Sequence, residues 1–172
     1  QQVAKASMIP RKYGRIVNIA SVAGLGGNPP RMEGTIAYNT TKGGLVNFTR
    51  ALAAEWGAHG ITVNVIHPGV VETPHIHELY AKEAKIQGLT PAEVEANYAK
   101  VTPIRRVLQP NEIADTVLFL ASERAGAITG ESIALPSACP MPNSGPIVLQ
   151  VLTVNGSLLN NCVPPPRKTT SF

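Results

Sequence analysis

The sequence is poor in cysteine, aromatic residues and charge, and each shortage excludes a class of protein. Aromatic residues make up 5% of the 172 residues and charged ones 15%, while 44% are hydrophobic, which argues against a disordered chain. The two cysteines, Cys139 and Cys162, are too few for a disulfide framework or a zinc site. We therefore expect a globular protein without a structural metal in a reducing compartment, with the cytoplasm as the default.

Long hydrophobic runs and basic clusters are also missing. No stretch approaches the roughly 20 apolar residues that a membrane-spanning helix requires, and no signal peptide is recognisable. Lysine and arginine exceed aspartate and glutamate by 15 to 11, but the basic residues are dispersed and are not interleaved with aromatic ones. We expect neither a membrane nor a nucleic acid as a partner.

Charge is unevenly distributed along the chain. Of the 26 charged residues, 24 lie in residues 1–135, whereas residues 136–172 hold only Arg167 and Lys168 together with seven of the fifteen prolines. We predict one folded domain over residues 1–133 and an atypical, Pro-rich and charge-poor tail over residues 134–172.

Short β-branched runs alternate with longer helical patterns in the predicted domain. Parallel strands joined by helical crossovers predict an α/β fold, in which ligands bind beyond the carboxyl ends of the strands. That rule directs attention to Ser21 and to the Pro68-Gly69 turn, each of which follows a predicted strand. Strands are predicted at residues 15–20, 61–66 and 132–135. Helices are predicted over residues 35–57, twice within residues 75–101, and once after a cap at Asn111.

Three side chains near these strand ends suit proton transfer. Tyr38 and Lys42 are four residues apart at the start of the long predicted helix and therefore share a face. An ammonium near a phenol favours the phenolate, and a serine hydroxyl at a strand end can bond to a substrate oxygen. The pattern alone leaves an alternative open, because Tyr-x-x-x-Lys is common on helix surfaces and Ser21 can be a plain turn residue.

Several ordered motifs carry a family resemblance. GRIVNIASVAG (14–24), AYNTTKGG (37–44) and ITVNVIHPG (61–69), followed by Glu72-Thr73, residues 106–114 and Ile128-Thr-Gly130, resemble the short-chain dehydrogenase/reductase family over about residues 3–133. The resemblance implies a Rossmann-like doubly wound parallel sheet, of which this chain carries the carboxyl-terminal, catalytic half. It also implies an NAD(P)-dependent oxidoreductase that acts on a small-molecule carbonyl or secondary alcohol.

The resemblance assigns roles to the three proton-transfer candidates. Tyr38 would be the general acid in carbonyl reduction or the base in alcohol oxidation, Ser21 would hold the substrate oxygen, and Lys42 would bond the nicotinamide ribose. A family member also grips the nicotinamide carboxamide after the Pro-Gly turn, and that role falls to Pro68, Gly69, Val71 and Thr73. The choice between NAD and NADP is not readable from these residues.

The resemblance gives weaker implications for other residues. In the family the long helix often packs against a second subunit, which implies a homo-oligomer, a dimer or tetramer. Gly43 and Gly44 weaken that helix, and the close approach of another backbone would explain them. His67 is either structural or approaches the cofactor. His75 and His77 lack a third ligand at a suitable spacing, so we expect no metal site.

Two departures from the family stand out. Ser21 and Tyr38 are 17 positions apart, which is a few more than many members have, and the extra residues fall in a loop. The TGxxxGxG phosphate-binding turn is not present, and residues 24–27 (GLGG) follow the wrong strand to replace it. The fold is therefore expected to be incomplete, and the alternative is a truncated, inactive fragment or pseudoenzyme that acts at most as a binding module.

Overall fold

The computed structural model describes residues 2–26 and 35–135. Their sheet has three parallel strands in the order β1 (Gly14–Ile19), β2 (Ile61–His67) and β3 (Ser132–Ala134). The predicted α/β class and the parallel sheet are confirmed, with strand ends within about one residue of the predicted ones.

Helices connect the strands as the sequence pattern predicts. A π-type helix, Ala4–Met8, continues into the short α1 (Ile9–Arg11) before β1. The crossover from β1 to β2 is the long helix α2, and three further helices precede β3. The helices after α1 are α2 (Ile36–Trp56), α3 (Pro74–Gln87), α4 (Pro91–Val101) and α5 (Pro110–Ala121).

The sheet is covered on both faces, as a doubly wound fold requires. Alternate residues of β2 point to opposite faces. Ile61 and Val63 pack against Trp56 of α2, whereas Ile66 packs against Leu120 of α5. All seven residues of β2 are buried, because this central strand has a neighbour on each side and a helix on each face.

Helices α3 and α4 form a separate small cluster beside the sheet. Tyr80, Ala84 and Val94 are buried against one another there. A parallel bridge between Val71 and Leu108 joins the segment before α3 to the segment before α5. The chain that leaves β2 is therefore held in place before it enters α3.

The start of α5 differs from the predicted one. The helix is capped by Gln109 rather than Asn111, and Pro110 occupies its first position. The Gln109 amide donates to the Glu112 side chain at 2.8 Å. Proline suits that position because its missing N–H would have no partner in the first turn of a helix.

The predicted division at residue 133 remains a prediction. Pairing along β3 continues to Leu135, whose N–H donates to the His67 carbonyl at 3.0 Å. Residues 136–172 of the predicted tail, with both cysteines, lie outside the described residues. Within the described part of the chain, no helix combines the length and the hydropathy needed to cross a bilayer.

Candidate active site

Backbone pairing beyond the ends of β1 and β2 brings Ser21 beside the Pro68-Gly69 turn. The Ala20 amide donates to the Ile66 carbonyl at 2.8 Å, and the Val22 amide donates to the Pro68 carbonyl at 3.2 Å. Because the strands are parallel, both segments leave the sheet at the same edge. Two of the predicted site elements are therefore neighbours.

The Ser21 hydroxyl is oriented by the turn that follows it. Ser21 caps a short 3₁₀ turn, Val22–Gly24, and its Oγ accepts a hydrogen bond from the Ala23 amide at 3.2 Å. A hydroxyl that accepts one bond still has its own hydrogen to donate. Ser21 can therefore donate to a substrate oxygen beyond the strand end while it remains held by the turn.

Lys42 links the long helix to the end of β1. Its Nζ donates to the Ile19 carbonyl at 3.0 Å and lies 5.7 Å from the centroid of the Tyr38 ring, on the same helix face. Tyr38 is 49% exposed, so the residue is half-accessible at this place on the helix. An ammonium has three donors, and Ile19 takes one of them.

A backbone contact fixes the distance between the Ser21 turn and α2. A Cβ built on Gly24 would lie 2.6 Å from the Gly43 nitrogen, and one on Gly43 would lie 3.1 Å from the Gly24 oxygen. The expected close approach at Gly43 is therefore present, and it comes from the same chain. A Cβ at Gly44 would have nothing within 4 Å. A close backbone approach therefore does not explain why residue 44 is glycine.

The segment after the Pro68-Gly69 turn offers a free backbone donor. The Val71–Leu108 bridge uses the Glu72 amide, which donates to the Leu108 carbonyl, and the Leu108 amide, which donates to the Val70 carbonyl. In this pattern the Val71 amide points away from Leu108. No described residue accepts a hydrogen bond from it. A carboxamide oxygen is a suitable acceptor for such a donor.

Thr73 stands at the junction between this segment and α3. Its Oγ1 accepts from the Ile76 amide at 3.3 Å and so caps the helix, which begins with Pro74. As at Ser21, the hydroxyl hydrogen stays available. The Val71 amide and the Thr73 hydroxyl are therefore two donors that no described residue uses, in the segment to which the family resemblance assigns the nicotinamide carboxamide.

Comparison with known proteins decides the family. A family model described as enoyl-(acyl carrier protein) reductase matches residues 1–135. The chain belongs to the short-chain dehydrogenase/reductase family. The 3-oxoacyl-(acyl-carrier-protein) reductase FabG of Aquifex aeolicus is 40% identical over 126 residues, which cover 73% of this chain and 45% of that protein.

Two solved structures show the same fold. An actinorhodin polyketide ketoreductase with NADPH has a TM-score of 0.70 at 37% identity, over 78% of this chain and 50% of that one. A 3-oxoacyl-(acyl-carrier protein) reductase with bound NAD from Brucella melitensis has a TM-score of 0.62 at 33% identity, over 78% and 44%. The chain thus spans about half the length of the dehydrogenases and reductases it matches.

A second tyrosine near the site is unsuited to proton transfer. Tyr80 is 1% exposed, and its hydroxyl has no hydrogen-bond partner among the described residues. Burial, with the nearby carboxylates of Glu95, Glu72 and Glu83, raises the pKa of Tyr80 to about 12. The Tyr80 phenol therefore stays protonated and shielded from solvent, whereas Tyr38 is half-exposed.

His67, whose role the sequence does not decide between structure and cofactor contact, makes two hydrogen bonds within the fold. The residue is fully buried at the end of β2, with Nδ1 3.0 Å from the Ser21 carbonyl oxygen and Nε2 2.7 Å from the Ser132 hydroxyl. Burial lowers the pKa of His67, and the hydrogen bond with Ser21 opposes that effect. Ser132 was not among the predicted site residues, since no family motif marks it.

The two exposed histidines after the turn have other neighbours. His77 Nε2 lies 2.6 Å from Glu72 Oε1, at the start of α3. Within residues 2–26 and 35–135, no three His, Cys, Asp or Glu side chains are grouped so that they could share a metal ion. His77 therefore pairs with the carboxylate next to Thr73 and supports the segment that carries the two free donors.

Proposed function

We propose that these residues carry the catalytic half of an NAD(P)-dependent oxidoreductase. The reaction is hydride transfer between the nicotinamide and a carbonyl or secondary alcohol. The observation that carries the proposal is that Lys42 links Tyr38 to the end of β1. Its Nζ donates to the Ile19 carbonyl and lies 5.7 Å from the centre of the Tyr38 ring. Ser21 follows Ile19 by two residues, and no described residue accepts a hydrogen bond from its hydroxyl.

The three side chains divide the proton chemistry. In the reducing direction, Ser21 donates a hydrogen bond to the carbonyl oxygen, and Tyr38 transfers its phenolic proton to that oxygen as it becomes an alkoxide. Lys42 supplies positive charge beside the phenol and has donors left for the ribose hydroxyls. In the oxidising direction the Tyr38 phenolate removes the proton from the alcohol. The cofactor supplies or accepts the hydride.

The segment from the Pro68-Gly69 turn to Thr73 would hold the nicotinamide ring in place. The Val71 amide, turned away from the Leu108 bridge, and the Thr73 hydroxyl, which already caps α3, are the donors for its carboxamide. Pro68 and Gly69 shape the turn, and the Pro68 carbonyl keeps it against Val22. Either NAD or NADP satisfies these contacts, because both carry the same nicotinamide.

The substrate class is proposed from the relatives. The A. aeolicus relative and the B. melitensis neighbour are named for 3-oxoacyl-(acyl-carrier-protein) reduction, and the third comparison is a polyketide ketoreductase. All three names describe the reduction of a ketone on an acyl chain. We propose a 3-oxoacyl thioester as the substrate class, with a sugar acid as the alternative.

The test is turnover in a complete enzyme framework. Residues 1–135 replace the aligned segment of the A. aeolicus reductase, which supplies the dinucleotide-binding half. Oxidation of NADPH or NADH is followed by absorbance with acetoacetyl-CoA as the model thioester. In the reverse direction, reduction of NADP⁺ or NAD⁺ is followed with gluconate as the alcohol. We expect turnover with at least one of the two substrates and one of the two cofactors. A folded hybrid that binds cofactor but turns over neither acetoacetyl-CoA nor gluconate would contradict the proposal.

A second candidate function is a binding module without catalysis. Residues 1–135 taken by themselves contain no TGxxxGxG turn, so they leave this alternative open. Assembly with a second copy through α2 belongs to either candidate, and exposed Ile36 and Phe48 on that helix support it. Turnover of the hybrid enzyme separates the two candidates.

A further inference from the structure

His67 links β3 to the segment that follows β1, at the edge of the sheet where the site lies. It is the last residue of the central strand β2, and it shares a face with Ile61 and Val63, the face that α2 covers. On one side its ring reaches the Ser21 carbonyl at 3.0 Å, and on the other it reaches the Ser132 hydroxyl of β3 at 2.7 Å. The side chain has no exposed surface, so both contacts are shielded from water.

The two partners determine which ring nitrogen carries the proton. A backbone carbonyl only accepts hydrogen bonds, so Nδ1 must be the protonated nitrogen that donates to Ser21. In the neutral ring Nε2 is then an acceptor, and the Ser132 hydroxyl must donate to it. The sheet thus specifies the Nδ1–H tautomer, and Ser132 stabilises it.

The peptide unit between Ser21 and Val22 is held at both of its polar groups. Its carbonyl, from Ser21, accepts from His67, and its N–H, from Val22, donates to the Pro68 carbonyl at 3.2 Å. The same carbonyl also accepts from the Gly24 amide at 2.9 Å, so the ψ of Ser21, 152°, is set jointly by its own 3₁₀ turn, by His67 and by the Pro68 turn. The next amide, of Ala23, then donates to Ser21 Oγ.

We infer that His67 is a positioning residue for Ser21. It holds the Ser21 carbonyl through Nδ1–H and so sets the direction in which the Ser21 hydroxyl points, while Ser132 fixes the tautomer. The importance of that direction for catalysis rests on the function proposed above. The hydrogen bonds of His67 do not depend on that proposed function. They are therefore tested on the 172-residue chain without any activity measurement.

The tautomer is tested directly by nitrogen NMR. The chain is labelled with ¹⁵N-histidine, and His67 is assigned by its loss in a His67→Asn variant. Long-range proton–nitrogen correlations at neutral pH should show a protonated Nδ1 and an unprotonated Nε2 for His67. An Nε2–H tautomer would overturn the inference, and the tautomer itself is read from the wild-type chain.

Two isosteric variants separate positioning from space filling. The amide nitrogen of Asn at residue 67 occupies the place of Nδ1, and that of Gln occupies the place of Nε2. Asparagine therefore keeps the donor to Ser21 and glutamine does not, although glutamine is closer to histidine in volume. A residue that merely fills space would be replaced better by glutamine.

The readout is hydrogen exchange of the Ala23 amide, which reports the Ser21 hydroxyl bond. His67→Gln should speed that exchange about tenfold, whereas His67→Asn should change it by less than about threefold, since a single hydrogen bond is worth that order of protection. Leu120 and Val63 amides serve as controls for global stability. Equal acceleration in both variants, or greater acceleration in His67→Asn, would overturn the inference. Absence of turnover in the hybrid enzyme would instead count against the proposed function.

Discussion

Gly24 and Gly43 meet backbone to backbone where the turn after β1 crosses the long helix α2. The Cβ that any other residue would place at Gly24 falls 2.6 Å from the Gly43 nitrogen and 2.6 Å from the Lys42 carbonyl carbon. Non-bonded atoms cannot approach each other to 2.6 Å without a clash. Glycine, which has no Cβ, therefore allows the two segments to approach. This contact sets the Ser21 turn against the part of α2 that carries Lys42.

Gly24→Ala should therefore destabilise the fold, by about 1–3 kcal/mol, the usual cost of overpacking a tight contact. Gly44→Ala is the matched control: a Cβ there meets nothing within 4 Å, and replacing glycine inside a helix stabilises by about 0.5–1 kcal/mol. Urea denaturation of both variants measures the difference. A Gly24→Ala variant as stable as wild type would show that the two backbones are not in contact.

The Arg106–Glu112 ion pair should make the unfolding midpoint depend on acid pH. Arg106 donates to both carboxylate oxygens, at 2.7 and 2.6 Å, and with the Gln109 amide it lowers the pKa of Glu112 from 4.5 to about 2. A depressed carboxyl pKa stabilises the folded state above the unfolded value and loses that effect as pH falls through the folded one. The pair is exposed, so the effect is small.

Glu112→Gln, which keeps an acceptor for the Gln109 amide, isolates this contribution. The difference in urea midpoint between wild type and Glu112→Gln should be present at pH 6 and should shrink between pH 4.5 and about 2. A difference that stays constant over this range would mean that the Glu112 charge adds nothing to folding.

Buried His67 should also couple stability to pH, in a higher range. Its pKa in the fold lies below the ordinary 6.5 because burial disfavours the charged ring, so the folded state binds fewer protons than the unfolded one. Stability from His67 is therefore complete above pH 6.5 and declines as pH falls below it. The pH slope between 7.5 and 5 should be shallower in His67→Asn, and identical slopes would refute the coupling.

The 172-residue chain by itself should bind NADH and NADPH only weakly. The donors proposed for the nicotinamide are those of Val71 and Thr73, whereas the TGxxxGxG turn that would hold the pyrophosphate is not among the 172 residues. Gly24 cannot serve in its place, because the α2 backbone fills the space beside it. Titration calorimetry should give no micromolar affinity for either cofactor, and a micromolar dissociation constant would contradict this.

Local patterns predicted the fold and the placement of the main site residues. The β-branched runs predicted β1 and β2, and the four-residue spacing of Tyr38 and Lys42 predicted their shared face, because both depend on neighbours within one element. The family motifs predicted that Ser21 and Pro68 belong to one site. The strand register then explains how they meet.

Other features depend on contacts between distant residues and were not predictable in this way. The bond between His67 and Ser132 joins positions 65 residues apart and exists because β3 pairs with β2 in one register. The wrong cap, Asn111 in place of Gln109, has a local cause: the first-turn preference of proline outweighed the capping preference of asparagine. The sequence predicts a close backbone approach at Gly43, but only the fold identifies its partner as Gly24.

The central claim, that Tyr38 is the proton donor and acceptor, is tested most directly by Tyr38→Phe in the hybrid enzyme. The change removes one oxygen from a half-exposed ring, so the fold should be unaffected. Turnover should fall by about 10²–10⁴-fold, the usual contribution of a general acid, while the dissociation constant of the nicotinamide cofactor stays nearly unchanged. A Tyr38→Phe enzyme with wild-type turnover would contradict the account.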